Sequence, residues 1–347
     1  MTQTKYEIFL NQYAEKDWLA AVERLLPKIH EVDRHAAAIW FRFYPLSLFR
    51  YLNAAEDRER AVRKFVLQGE YELKNQSDSS HRFLYGHRFW AETKAAIERR
   101  AADFENADAD LSREIETIAQ TIAEKAKTQP PLTLGIAAVG LMTLVQSGLA
   151  AFKEAAGAVA KPSGLMAKTP DQIVAERRRD DSQGFLGFLK TVDKKFTVAW
   201  NSHQSSGQFR IINDEDVASA AAKDQSRDWK NADARCLEGV VPVECRSASC
   251  GTCWVGVLGG AEKLSEVERL ERKQMKIFGY NQPDEAKPML RLACQAKAFG
   301  NVTIVIPPWN GVFGKKVYDN VEEEKLEPAT TSAKKNRTVV KEMTSGQ

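Results

Sequence analysis

The stretch Cys245-Arg-Ser-Ala-Ser-Cys250-Gly-Thr-Cys253 determines how the rest of this sequence is interpreted. It places three thiols on one short loop, and a fourth follows in Arg291-Leu292-Ala293-Cys294-Gln295. Most of the residues between the thiols are small, so backbone N–H groups can approach whatever the thiols hold; these residues are Ser247, Ala248, Ser249, Gly251 and Thr252. Gly251 permits a turn between two of the thiols without a Cβ clash. The pattern therefore indicates a centre built from four thiolates.

The spacing of the four cysteines is C-x4-C-x2-C with a distant fourth, which is typical of plant-type [2Fe–2S] sites. Two irons bridged by two sulfides need four thiolates, and a tight loop together with a distant strand end supplies them. Structural zinc sites usually pair their cysteines in two short C-x2-C-like units, whereas this sequence has one. We therefore expect a [2Fe–2S] cluster here, with zinc as the alternative.

Around these residues the sequence resembles the plant-type and vertebrate-type [2Fe–2S] ferredoxin family. The resemblance covers roughly residues 193–310 and includes the order of strands and helices, the cysteine loop and the run from Arg291 to Gln295. It implies a β-grasp domain that passes single electrons at low potential, on the order of −400 mV. It also implies that the cluster and metal ligands are Cys245, Cys250, Cys253 and Cys294.

The sequence differs from that family in two respects. The 40 residues between Cys253 and Cys294 exceed the plant-type interval, because a longer helix and a proline-containing loop are inserted. Plant-type ferredoxins are also markedly acidic, whereas residues 190–318 contain 19 Lys and Arg against 15 Asp and Glu. An acidic docking face for a reductase is therefore not expected, and the redox partner is expected to differ.

The composition is that of a globular protein with two domains. Of its 347 residues, 43% are hydrophobic and 28% are charged, and the net charge of +3 does not suggest nucleic acid as a partner. The five cysteines all lie between Cys236 and Cys294, which does not fit a disulfide framework. The start, Met1 to Lys16, lacks the features of an export signal, so we expect a cytoplasmic protein. The spare thiol, Cys236, is interpreted as a free core thiol or as a redox or alternative ligand.

Residues 1–128 are predicted to form an all-helical docking domain. Apolar residues recur there at helical spacing, for example Leu111, Ile115, Ile118 and Ile122. The aromatic run from Trp40 to Leu52 is predicted to be a buried helix broken near Pro45. The alternative is an interfacial segment that touches a membrane or a partner, with its arginines at the polar edge.

The remaining segments are distinguished by composition. Residues 129–160 form an Ala/Gly-rich apolar segment in which 132–152 carry no charge, so a buried, a membrane-docking or a transmembrane helix are all considered. Residues 161–190 are predicted to be a linker, 191–318 the ferredoxin-like domain, and 319–347 a disordered charged tail. The predicted fold class is multidomain, α and α+β, with the helical domain followed by the β-grasp domain. Trp254, directly after Cys253, is interpreted as a core strand residue or as a shield for the cluster.

Other chemistry is less well supported by the sequence. His81 and His87 are six residues apart, which would place them on different faces of a helix, about 120° apart, so a haem or di-metal site is not expected. No glycine-rich dinucleotide or phosphate motif is present, and no spacing suggests a hydrolytic catalytic set.

We therefore expect a non-catalytic one-electron carrier, or a subunit of an oxidoreductase complex, whose partners are an electron donor protein and an acceptor protein. The helical domain would dock it to a larger redox complex, including a membrane-bound one, so a position peripheral to or anchored in the cytoplasmic membrane is considered. The alternatives are a redox-sensing regulator, whose cluster state controls what the helical domain binds, and an enzyme with a substrate site in the helical domain.

Overall fold

The fold is described from a computed structural model over residues 3–105, 110–179, 194–279, 285, 287–312, 314–318 and 321. The α-helices of this part of the chain are α1 Lys5–Asn11, α2 Glu15–Leu25, α3 Glu31–Phe43, α4 Leu46–Ala54, α5 Arg58–Lys64, α6 Trp90–Ala102, α7 Leu111–Ala126, α8 Leu134–Ser147, α9 Leu149–Glu154, α10 Pro170–Arg178, α11 Val217–Ala222, α12 Trp229–Ala232 and α13 Arg269–Phe278. The strands are β1 Gln68–Gly69, β2 Lys195–Asn201, β3 Ser206–Ile212, β4 Glu215–Asp216, β5 Trp254–Gly259, β6 Leu290–Leu292, β7 Lys297–Ala298, β8 Val302–Val305 and β9 Trp309–Asn310.

The N-terminal region is helical, as predicted. Some of its helices begin at residues whose side chains cap free backbone N–H groups: Thr4 forms a capping box with Glu7 before α1, and Asp110 accepts from the N–H of Arg113 before α7. The aromatic run is broken where expected, because α3 ends at Phe43 and α4 begins at Leu46, on either side of Pro45.

The apolar segment forms the centre of the helical region. Helix α8 is buried along nearly its whole length and packs against α3, α6 and α7. Its polar residues have partners inside the protein, since Thr143 donates to the carbonyl of Val139 (2.8 Å) and Gln146 donates to the carbonyl of Tyr44 (2.8 Å). Gly148 separates α8 from α9. Within the described ranges, no helix is long and apolar enough to cross a membrane.

The C-terminal region contains a mixed five-stranded sheet in the order β3-β2-β8-β5-β6. Strands β2 and β3 form an antiparallel hairpin, β8 runs parallel to β2, and β5 pairs antiparallel with both β8 and β6. Helix α11 packs on β3. This is the β-grasp arrangement predicted from the sequence, so the overall class is α followed by α+β.

The helical region and the sheet share one hydrophobic core. Helix α3 packs directly on β5, and a Cβ on Gly256 would lie 2.6 Å from Cγ2 of Ile39, so only glycine allows this approach. The ring of Trp254 contacts the ring of Phe43 edge-on at 4.9 Å, and Trp309 donates its indole N–H to the carbonyl of Phe43 (2.6 Å). Strand β1 of the helical region also pairs with β9. The two regions are therefore joined by side-chain packing and by backbone pairing.

Part of the segment predicted as a linker is instead a packed helix. Helix α10 begins with a capping box between Thr169 and Gln172, and its Ile173 is buried against Val32 and Tyr85. The composition of this segment did not indicate that a single apolar residue, Ile173, anchors it. Residues 180–190 of the predicted linker lie outside the described residues, and so does the predicted tail apart from Val321.

Candidate metal centre

The loop that carries three of the cysteines has an unusual backbone conformation. It precedes β5, and its residues Arg246, Ala248 and Gly251 have positive φ angles of 51°, 62° and 71°. The sequence predicted this role for Gly251 alone. The left-handed positions on both sides of Cys250 turn the chain sharply, which brings successive thiols to the same side of the loop.

The fourth cysteine reaches the loop through strand pairing. Trp254 of β5 lies opposite Leu292 of β6, and the N–H of Ala293 donates to the carbonyl of Cys253 (2.9 Å). Cys294 follows directly, so its position relative to Cys253 is fixed by this register. The predicted quartet is therefore brought together by one loop and one strand pair.

The four thiols are arranged as two pairs. Cys245 interacts with Cys250, and Cys253 interacts with Cys294. Cys253 and Cys294 are buried, whereas the side chains of the other pair are partly exposed. Each pair is therefore a two-thiol donor set, one facing the interior and one nearer the surface.

Hydrogen bonds make one thiol of each pair the more acidic. Burial raises the pKa of Cys245, but bonds from Ser249 and from the N–H of Ser247 outweigh it and lower that pKa to about 6. The bond from Cys253 lowers the pKa of Cys294 to about 7, and the same bond together with burial raises the pKa of Cys253. Burial also raises the pKa of Cys250. Each pair therefore holds one readily formed thiolate, the form that binds metal.

N–H groups surround the sulfur atoms, as the small residues of the loop predicted. The N–H of Ser247 donates to Sγ of Cys245 and that of Thr252 donates to Sγ of Cys250, both at 3.5 Å. The backbone N–H of Ala248 bonds to Cys294, and Nε2 of Gln295 lies 3.4 Å from the same sulfur. Such donors stabilise negative charge on thiolate sulfur.

A buried ion pair behind Cys294 was not anticipated from the sequence. Nε and Nη2 of Arg291 bind the two oxygens of Glu271 at 2.8 and 2.9 Å, and both side chains are essentially inaccessible to solvent. Glu271 also accepts from the N–H of Leu292 (2.9 Å). The available signal was helical spacing, because Glu271, Met275 and Phe278 are the buried residues on α13.

The other residues singled out in the sequence lie outside the quartet. Cys236 is buried and its thiol donates to the carbonyl of Val240 (3.3 Å), while burial raises its pKa to about 12. Trp254 is a buried residue of β5, as one interpretation held. The separation expected for His81 and His87 is wrong, because their Nδ1 atoms are 2.9 Å apart. The chain there forms turns and a 3-10 helix rather than an α-helix.

The histidine pair is fully satisfied within the protein. Nε2 of His87 accepts from the N–H of Ala160 (2.8 Å), so Nδ1 of His87 carries the proton and donates to His81, whose Nε2 donates to the carbonyl of Ser77 (3.1 Å). Both rings are therefore neutral. In the described part of the chain, no group of three or more His, Cys, Asp or Glu side chains is placed so that it could hold one metal ion.

The sheet and the two adjacent thiol pairs have the arrangement expected of a ferredoxin-type iron–sulfur domain. The comparison with protein families agrees: residues 220–299 match the family described as 2Fe-2S iron-sulfur cluster binding domain. The C-terminal part of the chain is therefore a domain of this family and binds a [2Fe–2S] cluster. The comparison with curated proteins gave no match to the chain.

The residues present fit this group. A [2Fe–2S] cluster needs two thiolates at each iron, and the structure supplies two pairs, each with one thiol that is readily deprotonated. The matched range contains the whole quartet and also Cys236, whose thiol is directed to a backbone carbonyl.

Proposed function

We propose that this protein is a one-electron carrier whose [2Fe–2S] cluster is held by Cys245, Cys250, Cys253 and Cys294. The observation that carries the proposal is the arrangement of these thiols in two adjacent pairs, within a domain of the cluster-binding family. When bound, the cluster accepts a single electron and returns it. The carrier role follows from that chemistry.

The chain's own residues prepare the site for the added negative charge. The N–H groups of Ser247 and Thr252 and the amide of Gln295 point at thiol sulfurs and favour the reduced state. Cys253 and Cys294 are buried, which excludes water from one side of the site, whereas Cys245 is partly exposed and the neighbouring Arg246 is exposed. Electrons therefore enter or leave at the face that carries Arg246.

The carrier needs a donor protein and an acceptor protein, and we propose that the helical region docks it to one of them. Support comes from the direct packing of α3 on β5, since a partner held on the helices is thereby held at a fixed position relative to Cys253. Residues 190–318 carry a net positive charge, which favours a partner with an acidic face. Cross-links between a purified acceptor and residues 1–128 would support this docking mode; cross-links confined to the cysteine loop would refute it.

The cluster and its ligands are tested by two matched cysteine variants. Purified protein should contain two irons and two sulfides per chain, and one-electron reduction should give the EPR signal of a reduced [2Fe–2S] cluster. Cys250→Ser should lose most of the iron and the signal, whereas Cys236→Ala should keep both, because Cys236 bonds to a backbone carbonyl.

The carrier role is tested on the same protein. Cytochrome c is a one-electron acceptor, so anaerobically reduced protein should reduce one molecule of cytochrome c for each cluster. A colourless protein that binds zinc, or a Cys236→Ala variant that loses its cluster while Cys250→Ser keeps it, would overturn the assignment.

A further inference from the structure

The helical region contains a cavity of about 390 Å³ that the carrier role does not use. This volume lies in the range of about 300–1,000 Å³ that is usual for small-molecule sites. Much of its wall comes from the aromatic run that the sequence analysis singled out, namely Tyr44, Pro45, Leu48, Phe49 and Leu52. The run therefore lines a cavity that is partly open to solvent.

The cavity is lined by aromatic and leucine side chains and, to a comparable extent, by polar groups. The rings of Tyr44, Phe49 and Tyr71 line it together with leucine side chains. Its charged residues are Arg58, Lys74 and Glu72, and the carboxylate of Glu72 lies 2.8 Å from each of the two cations. Such a cavity suits a planar, uncharged ring that carries hydrogen-bond acceptors, because the rings contact its faces and the two cations can donate to its oxygens.

Two tryptophans connect this cavity to the cysteine loop. Trp309 is buried and forms part of the cavity wall. Its ring centre lies 5.3 Å from that of Trp254, and Trp254 is covalently adjacent to Cys253. A molecule in the cavity would thus lie against an aromatic contact that leads to a cluster ligand, which gives electrons a short, packed route between the two sites.

Building on the proposed function, we propose that this cavity binds a quinone and that the cluster reduces it through Trp254 and Trp309. A quinone is planar, uncharged and reducible, and it carries two acceptor oxygens. Two electrons, delivered one at a time by the cluster and replaced by the donor protein, convert both C=O groups to O–H groups. Two protons from water complete the hydroquinone, and the cluster is reoxidised after each transfer.

Binding is tested with duroquinone, whose fully substituted ring cannot add to thiols. Isothermal titration of the oxidised protein should show one saturable site. Asn53 is exposed on α4 and lines the cavity, so Asn53→Trp should fill it and weaken the affinity at least tenfold. The matched control is Ala54→Trp, because Ala54 is the exposed neighbour on the same helix and does not line the cavity. Its affinity should equal that of the parent protein.

Electron delivery is tested by mixing the reduced protein with duroquinone under anaerobic conditions. The rate of cluster reoxidation should saturate with quinone at the dissociation constant found by titration, and Asn53→Trp should shift that saturation while Ala54→Trp does not. A rate that rises linearly with concentration, equal affinities for the two variants, or no saturable binding would overturn the inference. Failure of the proposed function looks different: the cluster then fails to form or to reduce cytochrome c, while titration still reports on the cavity.

Discussion

The buried pair Glu271–Arg291 offers the sharpest test of how this chain positions its fourth cysteine. Glu271 lies on α13 and binds both the guanidinium of Arg291 and the N–H of Leu292, two residues before Cys294. Glu271→Gln keeps the shape of the side chain but removes its charge, which leaves the cation of Arg291 buried without a counter-charge. Breaking one partner of such a pair costs about 3–5 kcal/mol, a large part of a typical stability of about 5–15 kcal/mol.

The measurements are the midpoint of guanidinium denaturation and the rate at which the visible absorbance of the cluster is lost. Glu271→Gln should lower the denaturation midpoint and speed the loss of the cluster. The reason is that the segment from Arg291 to Cys294 loses the charged side chain that holds it in place. Glu268→Gln is the matched control, because Glu268 is exposed at the start of the same helix. This substitution should change the free energy of unfolding by no more than about 0.5 kcal/mol.

A double variant separates the two effects of this substitution. Glu271→Met with Arg291→Met removes both charges and fills the space with apolar atoms, so it should regain most of the stability lost by Glu271→Gln. If Glu271→Gln is as stable as the control and keeps its cluster as long, the pair does not hold Cys294, and the reasoning is refuted.

Two further predictions concern the core. Gly256→Val should lower the free energy of unfolding by about 1–3 kcal/mol, because its side chain would collide with Ile39 and Val305 and push α3 away from β5; an unchanged denaturation midpoint would show that α3 does not press on this strand. The pair His81–His87 should make stability fall as the pH drops from about 6.5 towards 4. Burial lowers the pKa of His81, and it lowers that of His87 to about 4, so only the unfolded chain takes up these protons in that range. The loss is about 1.4 kcal/mol per pH unit for each ring that stays neutral, and denaturation at pH 7 and pH 5 should show a smaller loss in His87→Gln; equal losses would contradict the assignment.

The sequence predicted the cysteine loop well because its information is local. The spacing from Cys245 to Cys253 and the small residues within it indicate the loop, and Trp254 was correctly interpreted as a core residue of the strand that follows. Helix α8 was ambiguous, because an uncharged stretch has the same composition whether protein or lipid surrounds it. In the structure α8 is 14 residues long and packs against α3, α6 and α7, and its Gln146 donates to the carbonyl of Tyr44.

What the sequence could not predict depends on contacts between distant segments. His81 and His87 were placed on a continuous α-helix, where six residues separate two side chains in angle, and the turn that joins them has no clear local signature. Glu271 belongs to a strongly charged helix, so its role became visible only once Arg291 was placed opposite it. Periodicity identifies a buried face, but it does not identify what covers that face.

The shared core affects how the role of the first 235 residues is interpreted. They contain no thiol, which suggested a separate element whose task is to choose a partner. Yet Phe43 contacts Trp254 directly after Cys253, and Trp309 both bonds to the carbonyl of Phe43 and lines the cavity in the helical region. Because interiors are close-packed and transmit strain, a ligand or partner that shifts α3 must also act on the strand that begins beside the cluster loop. The helices therefore belong to the environment of the cluster as much as to any docking surface.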